Sequence, residues 1–343
     1  MKDNKKHKKA EYGILITGLI ILLAVACIIA LCAGQYSVSV PEVIKILASR
    51  FVNVTKTWSN TAEGVVFTLR LPRMIGAVLV GSALSLSGAA YQGVFKNPLV
   101  APDLLGVSSG ACVGASVAIL LHLNSFGVQA MAFVAGILAV GLTLFIPRLI
   151  KNTNMTMLVL SGIIVKGIMD SVMGIIKYVA DPETELQSIT YWQLGSLTKV
   201  LPRDLFTVGP VIIAASVIIF LLRWRINILS LGDREAKTLG VSVTVVRNFI
   251  IICATLLTAS AVCISGTIGW IGLVIPHFAR MLTGPDNTKA IPASILMGAI
   301  FMVVIDTLAR ALTSVELPLS ILTGIIGAPF YIIILARQRM KLS

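Results

Sequence analysis

The residue types that carry out chemistry are few in this chain, and their spacing assembles no reaction centre. Its 343 residues include three histidines, His7, His122 and His277, and five cysteines, Cys27, Cys32, Cys112, Cys253 and Cys263. The histidines lack metal-ligand spacing and no CxxC pair exists, so neither a zinc site nor a disulfide framework is predicted. The cysteines lie in apolar runs and are expected to be small core residues. A membrane enzyme would need a nucleophile–base pair or a metal cluster, and the sequence offers neither, so no catalytic residue and no metal ligand is assigned. A phosphate-cradling G-x-x-x-x-G-K-[ST] loop is missing too. If ATP drives what this chain does, another polypeptide binds it, and no cofactor is expected here.

Two other kinds of polar residue stand out. Lys166 and Asp170 lie within an apolar run, with Lys177 further along. Positions i and i+4 share a helix face, so the first two can pair. Charge at membrane depth is costly and marks a functional candidate. The pair is either self-neutralised toward the interior or lines a path and contacts a polar substrate. The second feature is the segment 223–240, too polar to span. Ile226, Leu229, Leu231, Ala236 and Leu239 give it an apolar side, Asp233 and Glu235 favour a helix start, and Gly240 is a plausible stop. Two short surface helices satisfy this pattern, and they can dock a partner protein or rest on lipid.

The elements that must position these residues are membrane helices. The chain is 57% hydrophobic and only 13% charged, where a soluble domain is about a quarter charged. Its net charge of +13 gathers on no single basic domain, so nucleic-acid binding is excluded. Apolar runs of spanning length are expected at 13–34, 65–91, 104–122, 127–147, 155–178, 205–223, 244–265, 268–283, 290–310 and 318–336. The first follows a basic tail, 1–12, and its length predicts a retained helix rather than a signal peptide. The expected organisation is one polytopic domain, 1–343, with a bundle over 13–337 and the surface segment at 224–242. Ten spans put both termini on one side. With those termini inside, inner segments hold 18 Lys and Arg and outer segments nine, a bias that favours cytoplasmic termini. Arg70, Arg73 and Arg310 are then misplaced on the outer side.

A shift of 178 residues lays Leu79–Pro98 on Leu257–Pro276, with identities at Ser82/Ser260, Ala83/Ala261, Ser87/Ser265 and Gly88/Gly266 among others. The copies start five spans apart, so they run in opposite directions. Such inverted repeats, here spans 2–5 and 7–10, are a transporter architecture. Gly and small residues recur throughout, as close helix packing in lipid requires.

Three motifs in order carry a resemblance that covers roughly residues 13 to 337. The first is Leu69-Arg-Leu-Pro-Arg73 with Gly81–Gly88, Gln92–Pro98 and Leu105–Gly110. The second is Gly266–His277 with Arg280. The third is Asp306–Arg310 with Glu316-Leu-Pro318 and Gly324–Pro329. The sequence resembles the iron-siderophore and vitamin B12 (FecCD-type) ABC importer permeases. That resemblance implies a type II ABC importer permease fold, all α-helical with about ten transmembrane helices, in a bacterial cytoplasmic membrane. It implies a homodimer, or a heterodimer with a paralogous permease, around a central path. A cytoplasmic ABC ATPase dimer docks on Gly232, Asp233, Arg234, Glu235, Ala236 and Gly240. An extracytoplasmic substrate-binding protein meets Arg70, Arg73 and Arg310 through its glutamates. Met155 and Thr156 match the family's inner gate. Lys166 and Asp170 depart from the family pattern. The implied cargo is an iron-siderophore chelate, with haem or a corrinoid as alternatives. From the residues alone, an ion-coupled secondary transporter using Asp170, Lys166 and Asp306 as a relay stays open.

Overall fold

A computed structural model describes the backbone of residues 2–339 except Thr153 and Ser314, and side chains over residues 10–332 with the same exceptions. The side chains of the basic tail up to residue 9 and the chain beyond 339 lie outside the described residues. The fold is all-helical, with no strand among the described residues. The helices are α1 (Lys2–Cys32), α2 (Val40–Ala48), α3 (Asn60–Gly64), α4 (Leu71–Phe95), α5 (Val107–Leu120), α6 (Ser125–Leu149), α7 (Met155–Val179), α8 (Glu185–Leu194), α9 (Pro202–Leu231), α10 (Asp233–Thr238), α11 (Val243–Ser265), α12 (Ile271–Thr283), α13 (Asn287–Ala311) and α14 (Leu319–Arg339).

Seven segments among the described residues are long and apolar enough to cross a membrane: Ala10–Cys32, Asn60–Phe95, Ser125–Leu149, Met155–Val179, Pro202–Leu231, Val243–Ser265 and Asn287–Ala311. Three shorter apolar helices, Val107–Leu120, Ile271–Thr283 and Leu319–Ile332, fall where the third, eighth and tenth spans are expected. The 14 residues of α5 and 13 of α12 reach about 20 Å at 1.5 Å per residue, short of a roughly 30 Å hydrocarbon core. Each is preceded by irregular chain. Before α5 come residues 96–101, a 3₁₀ turn at Pro102–Leu105 and Gly106 at φ 83°. Before α12 come Gly266 at φ 69° and Trp270 at φ 71°.

The buried centre is α4, α11 and α13. The apolar stretch of α11 is 78% buried and that of the helix containing α4 is 72% buried, against 17% for α1, so α1 lies at the periphery. Backbone contact explains the small residues. A Cβ on Gly88 would stand 1.8 Å from the Gly272 carbonyl oxygen, and one on Gly81 2.2 Å from that of Gly298. Hydroxyls join the same helices. Ser85 Oγ donates to the Ser294 carbonyl at 2.8 Å, and Ser87 Oγ to that of Ala254 at 2.9 Å, as expected where lipid gives helices no hydrophobic reason to associate.

The 178-residue register does not align the helix ends. Leu79–Phe95 lies wholly within α4, whereas the matching segment runs through the end of α11, the break at Gly266 and the start of α12. In that register the helix ends fall at different places, and the segments also pack on each other, as Gly88 does on Gly272.

Candidate functional site

Charged residues gather at both ends of the bundle, and a polar cavity lies between. At one end, a π-helical segment, Val65–Arg70, joins α3 to α4. It turns Arg70 inward, 5% exposed. Arg70 Nη1 donates to the carbonyls of Leu31 at 2.7 Å and Cys32 at 3.0 Å, and Nη2 donates to that of Tyr36. Arg310 donates to the carbonyls of Ala33 at 2.9 Å and of Ala30. The two guanidiniums thus occupy the orphan carbonyls at the C-terminus of α1, the negative end of its dipole. Arg73 sits between two carboxylates. Its Nε donates to Asp306 Oδ1 at 2.8 Å and Oδ2 at 3.0 Å, and its Nη1 to Glu316 Oε1 at 2.8 Å. Thr198 Oγ1 also donates to Glu316, at 2.6 Å. Burial pushes the Glu316 carboxyl up, but the bonds from Arg73 and Thr198 and the Arg73 charge outweigh it and hold the group below its ordinary range.

The resemblance assigns these three arginines to a docking protein. Arg70, Arg73 and Arg310 are 5%, 8% and 9% exposed and are spent on acceptors of their own chain rather than presented outward. The acceptors are backbone carbonyls and the acids Asp306 and Glu316.

At the other end, α9 runs unbroken to Leu231. The expected pair of short helices is therefore one extension of α9 plus α10. Ile226 and Leu229 are buried in the main core, so this turn continues the helix instead of lying on a surface. Gly232, at φ 144°, makes the corner, and a Cβ there would meet Glu235 Oε2 at 2.0 Å. Gly240, at φ 75°, ends the segment. Ala236 is fully buried, while Arg234, Glu235 and Lys237 stand in solvent with Leu231 and Leu239. Asp233 holds the helix in place. It accepts from Arg247 Nη2 of α11 at 2.6 Å and lies 3.8 Å from Lys96 Nζ at the end of α4. Burial pushes its carboxyl up, but the Arg247 bond and the charges of Arg247, Lys96 and Lys237 hold it below the ordinary range. Next to it, Asn227 Nδ2 donates to Asp286 at 2.7 Å and Asn227 Oδ1 accepts from the Asn287 amide at 2.8 Å. Tyr12 donates to the Lys289 carbonyl at 3.3 Å.

Between the ends is a cavity of about 290 Å³, where the breaks before α5 and α12 meet α4, α7, α8 and α11. Asp103, Ser108, Ser109, Asp170, Gln193 and Thr258 are among its walls. Asp170 is here, but Lys166 is turned to Asp103, with Nζ–Oδ2 at 4.0 Å. The expected Lys166–Asp170 pair is not formed. Met155 and Thr156 are 15 and 14 residues earlier on α7, about 22 Å along the helix, so the structure does not bring them to this cavity. Met155 is half-buried against the main core and Thr156 is exposed. Asn154 caps their helix, accepting from the Met157 amide at 2.8 Å.

Sequence reasoning assigned no role to Asp103, Glu316 or Trp270. Asp103 follows a Pro between two apolar runs, and Glu316 stands in the third motif. Trp270 stands in the second motif, but its positive φ of 71° is a backbone property that no residue pattern marks. Also unassigned is the bond from Arg280 Nη1 to Gln92 Oε1 at 2.5 Å, which ties α12 to α4.

The family model of the FecCD transport family matches residues 22–337. The chain is 37% identical over 322 residues to the molybdate import system permease protein MolB of Haemophilus influenzae, covering 94% of this chain and 95% of that one. It is 40% identical over 275 residues to a probable iron chelatin transport system permease protein of Helicobacter pylori, covering 80% and 83%. A solved structure described as an inward-facing conformation of a metal-chelate type ABC transporter superposes with a TM-score of 0.85 at 34% identity, over 95% of this chain and 99% of that one.

Proposed function

The chain belongs to the FecCD transport family, and from that premise we propose that it is the permease subunit of an ATP-driven importer that carries an iron-siderophore-type chelate into the cytoplasm. The observation that carries the reading is α10. Its Ala236 is buried in the core while Arg234, Glu235 and Lys237 face solvent, so force applied at that surface reaches α9 and α11 directly. A separate ABC ATPase pair would grip Gly232–Gly240 and supply the power stroke, and a change of access around the path would follow. The cargo forms no covalent bond, and this chain carries out no hydrolysis.

The remaining architecture follows the same reading. The ten apolar helices cross or enter a bacterial cytoplasmic membrane, with both termini and α10 on the cytoplasmic side, where Lys and Arg are twice as frequent. Helix lengths of 25, 14, 25 and 25 residues in α4–α7 and 23, 13, 25 and 21 in α11–α14 favour an inverted repeat that pairs α4 with α11. A second copy or a paralogous permease completes the path. Met155 and Thr156 would narrow it on the cytoplasmic side. A substrate-binding protein docks outside, and Arg70, Arg73 and Arg310 would serve it only by exchanging their internal acceptors. An ion relay through Asp306 is disfavoured, because Arg73 holds that carboxylate.

Uptake of labelled iron-siderophore, haem, cobalamin and molybdate, in a strain lacking this gene and in the complemented strain, tests the reading. Restored siderophore uptake supports it. Restoration of only another cargo overturns the substrate, and restoration of none overturns the importer.

A further inference from the structure

The cavity beside α7 holds polar groups whose bonding capacity is unspent. Among the described residues, no Lys or Arg nitrogen lies within 4.0 Å of Asp170, and neither its carboxylate nor the Ser108 and Ser109 hydroxyls have a hydrogen-bond partner. The other carboxylate, Asp103, has only Lys166 at 4.0 Å. Asp170 is 15 residues into the 25-residue α7, about 22 Å from its start, well inside membrane depth. A lone carboxylate there is costly unless something compensates it. A volume of about 290 Å³ falls just under the range of whole-ligand cavities, roughly 300–1,000 Å³. It has room for one arm of a chelate, not for the whole of it.

We propose that this cavity is a subsite for a protonated amine or hydroxyl-bearing arm of the cargo, with Asp170 as its acceptor and Ser108 and Ser109 as secondary partners. The inference rests on the permease reading and adds a substrate class to it. The charged residues of the cavity wall are the two carboxylates, Asp103 and Asp170, while Lys166 and Lys177 stand outside the wall with their charges toward Asp103 and Cys112. A wall of that sign favours cationic and donor-rich chelates and opposes an oxyanion. The chain would therefore reject molybdate, the cargo in the name of its Haemophilus relative.

The test uses the full-length chain in nanodiscs, with its native cysteines replaced and Ser109→Cys as the reporter. Modification rates are compared for a cationic and an anionic methanethiosulfonate, each relative to a free thiol. The cationic reagent is expected to be favoured about tenfold, the low end of the enrichment given by clefts lined with one sign of charge. Asp170→Asn should collapse that preference, and Asp170→Glu should keep it. Ferrioxamine B, an iron chelate with one protonated amine arm, should slow the reaction, and molybdate should not. Equal rates for the two reagents, an unchanged preference in Asp170→Asn, or protection by molybdate overturns the proposal. None of these readouts needs transport, so failure of the importer reading would show separately, in the uptake assay.

Discussion

The arginine end and the α10 end of the bundle both carry charge, but Arg73 is 8% exposed between two carboxylates whereas Arg234, Glu235 and Lys237 stand in solvent. At the first end the charges tie distant segments together. Arg70 and Arg310 close the end of α1, and Arg73 joins α4 to α13 and to the loop before α14. At the second, Asp233 and the buried Ala236 fix α10, and the rest of its polar groups remain available. The difference separates a buried structural clasp from an exposed polar surface, even though both read as charge clusters in sequence.

The largest effect should come from breaking the clasp. Arg73→Ala leaves Asp306, 2% exposed, without its hydrogen-bonded partner and with only Arg310 Nε at 3.7 Å. A loss of about 3–5 kcal/mol is expected, seen as a large fall in thermal stability in detergent. An unchanged melt would mean that the cluster is not structural. Asp306→Asn should cost less, about 1–3 kcal/mol, because Arg73 keeps Glu316.

Acid sharpens the contrast. The Glu316 carboxyl is held below its ordinary range. Its contribution is therefore full above the unfolded value of about 4.3 and is lost as pH falls through the lower folded value. Melting temperature should drop on that acid side, and Glu316→Gln should flatten the dependence; an identical profile in the variant would contradict the assignment.

The α10 end should behave in the opposite way. Asp233→Asn is expected to cost about 0–1 kcal/mol, the range for exposed pairs, and raising the salt concentration should erase the effect. A cost that persists in high salt would place Asp233 with the clasp. Glu235→Lys should change stability by less than about 0.5 kcal/mol while abolishing co-purification with the partner ATPase. Normal co-purification would remove this role for α10.

The helices were legible in the sequence because length and hydropathy decide them, and the start and stop of α10 because Asp233 and Gly240 carry that information locally. The fate of the arginines was not legible. Arg70 is held by Leu31, Cys32 and Tyr36 through carbonyls, a group every residue has. Asp306 lies 233 residues from Arg73, beyond any local pattern. The i, i+4 spacing of Lys166 and Asp170 permits a pair but does not compel one, and the break before α5 supplied Asp103 instead. The expected spans 104–122 and 268–283 overran α5 and α12 because the last irregular residues before each helix, 104–106 and 268–270, carry no charge that would mark the boundary.

The central claim is that this chain is a conduit driven from its α10 end by a separate ATPase. Vesicles reconstituted with the chain alone, and with its ATPase and binding protein, test it most directly by uphill uptake of labelled chelate. The account predicts accumulation only in the complete, ATP-loaded vesicles. Accumulation by the chain alone under an ion gradient would contradict it.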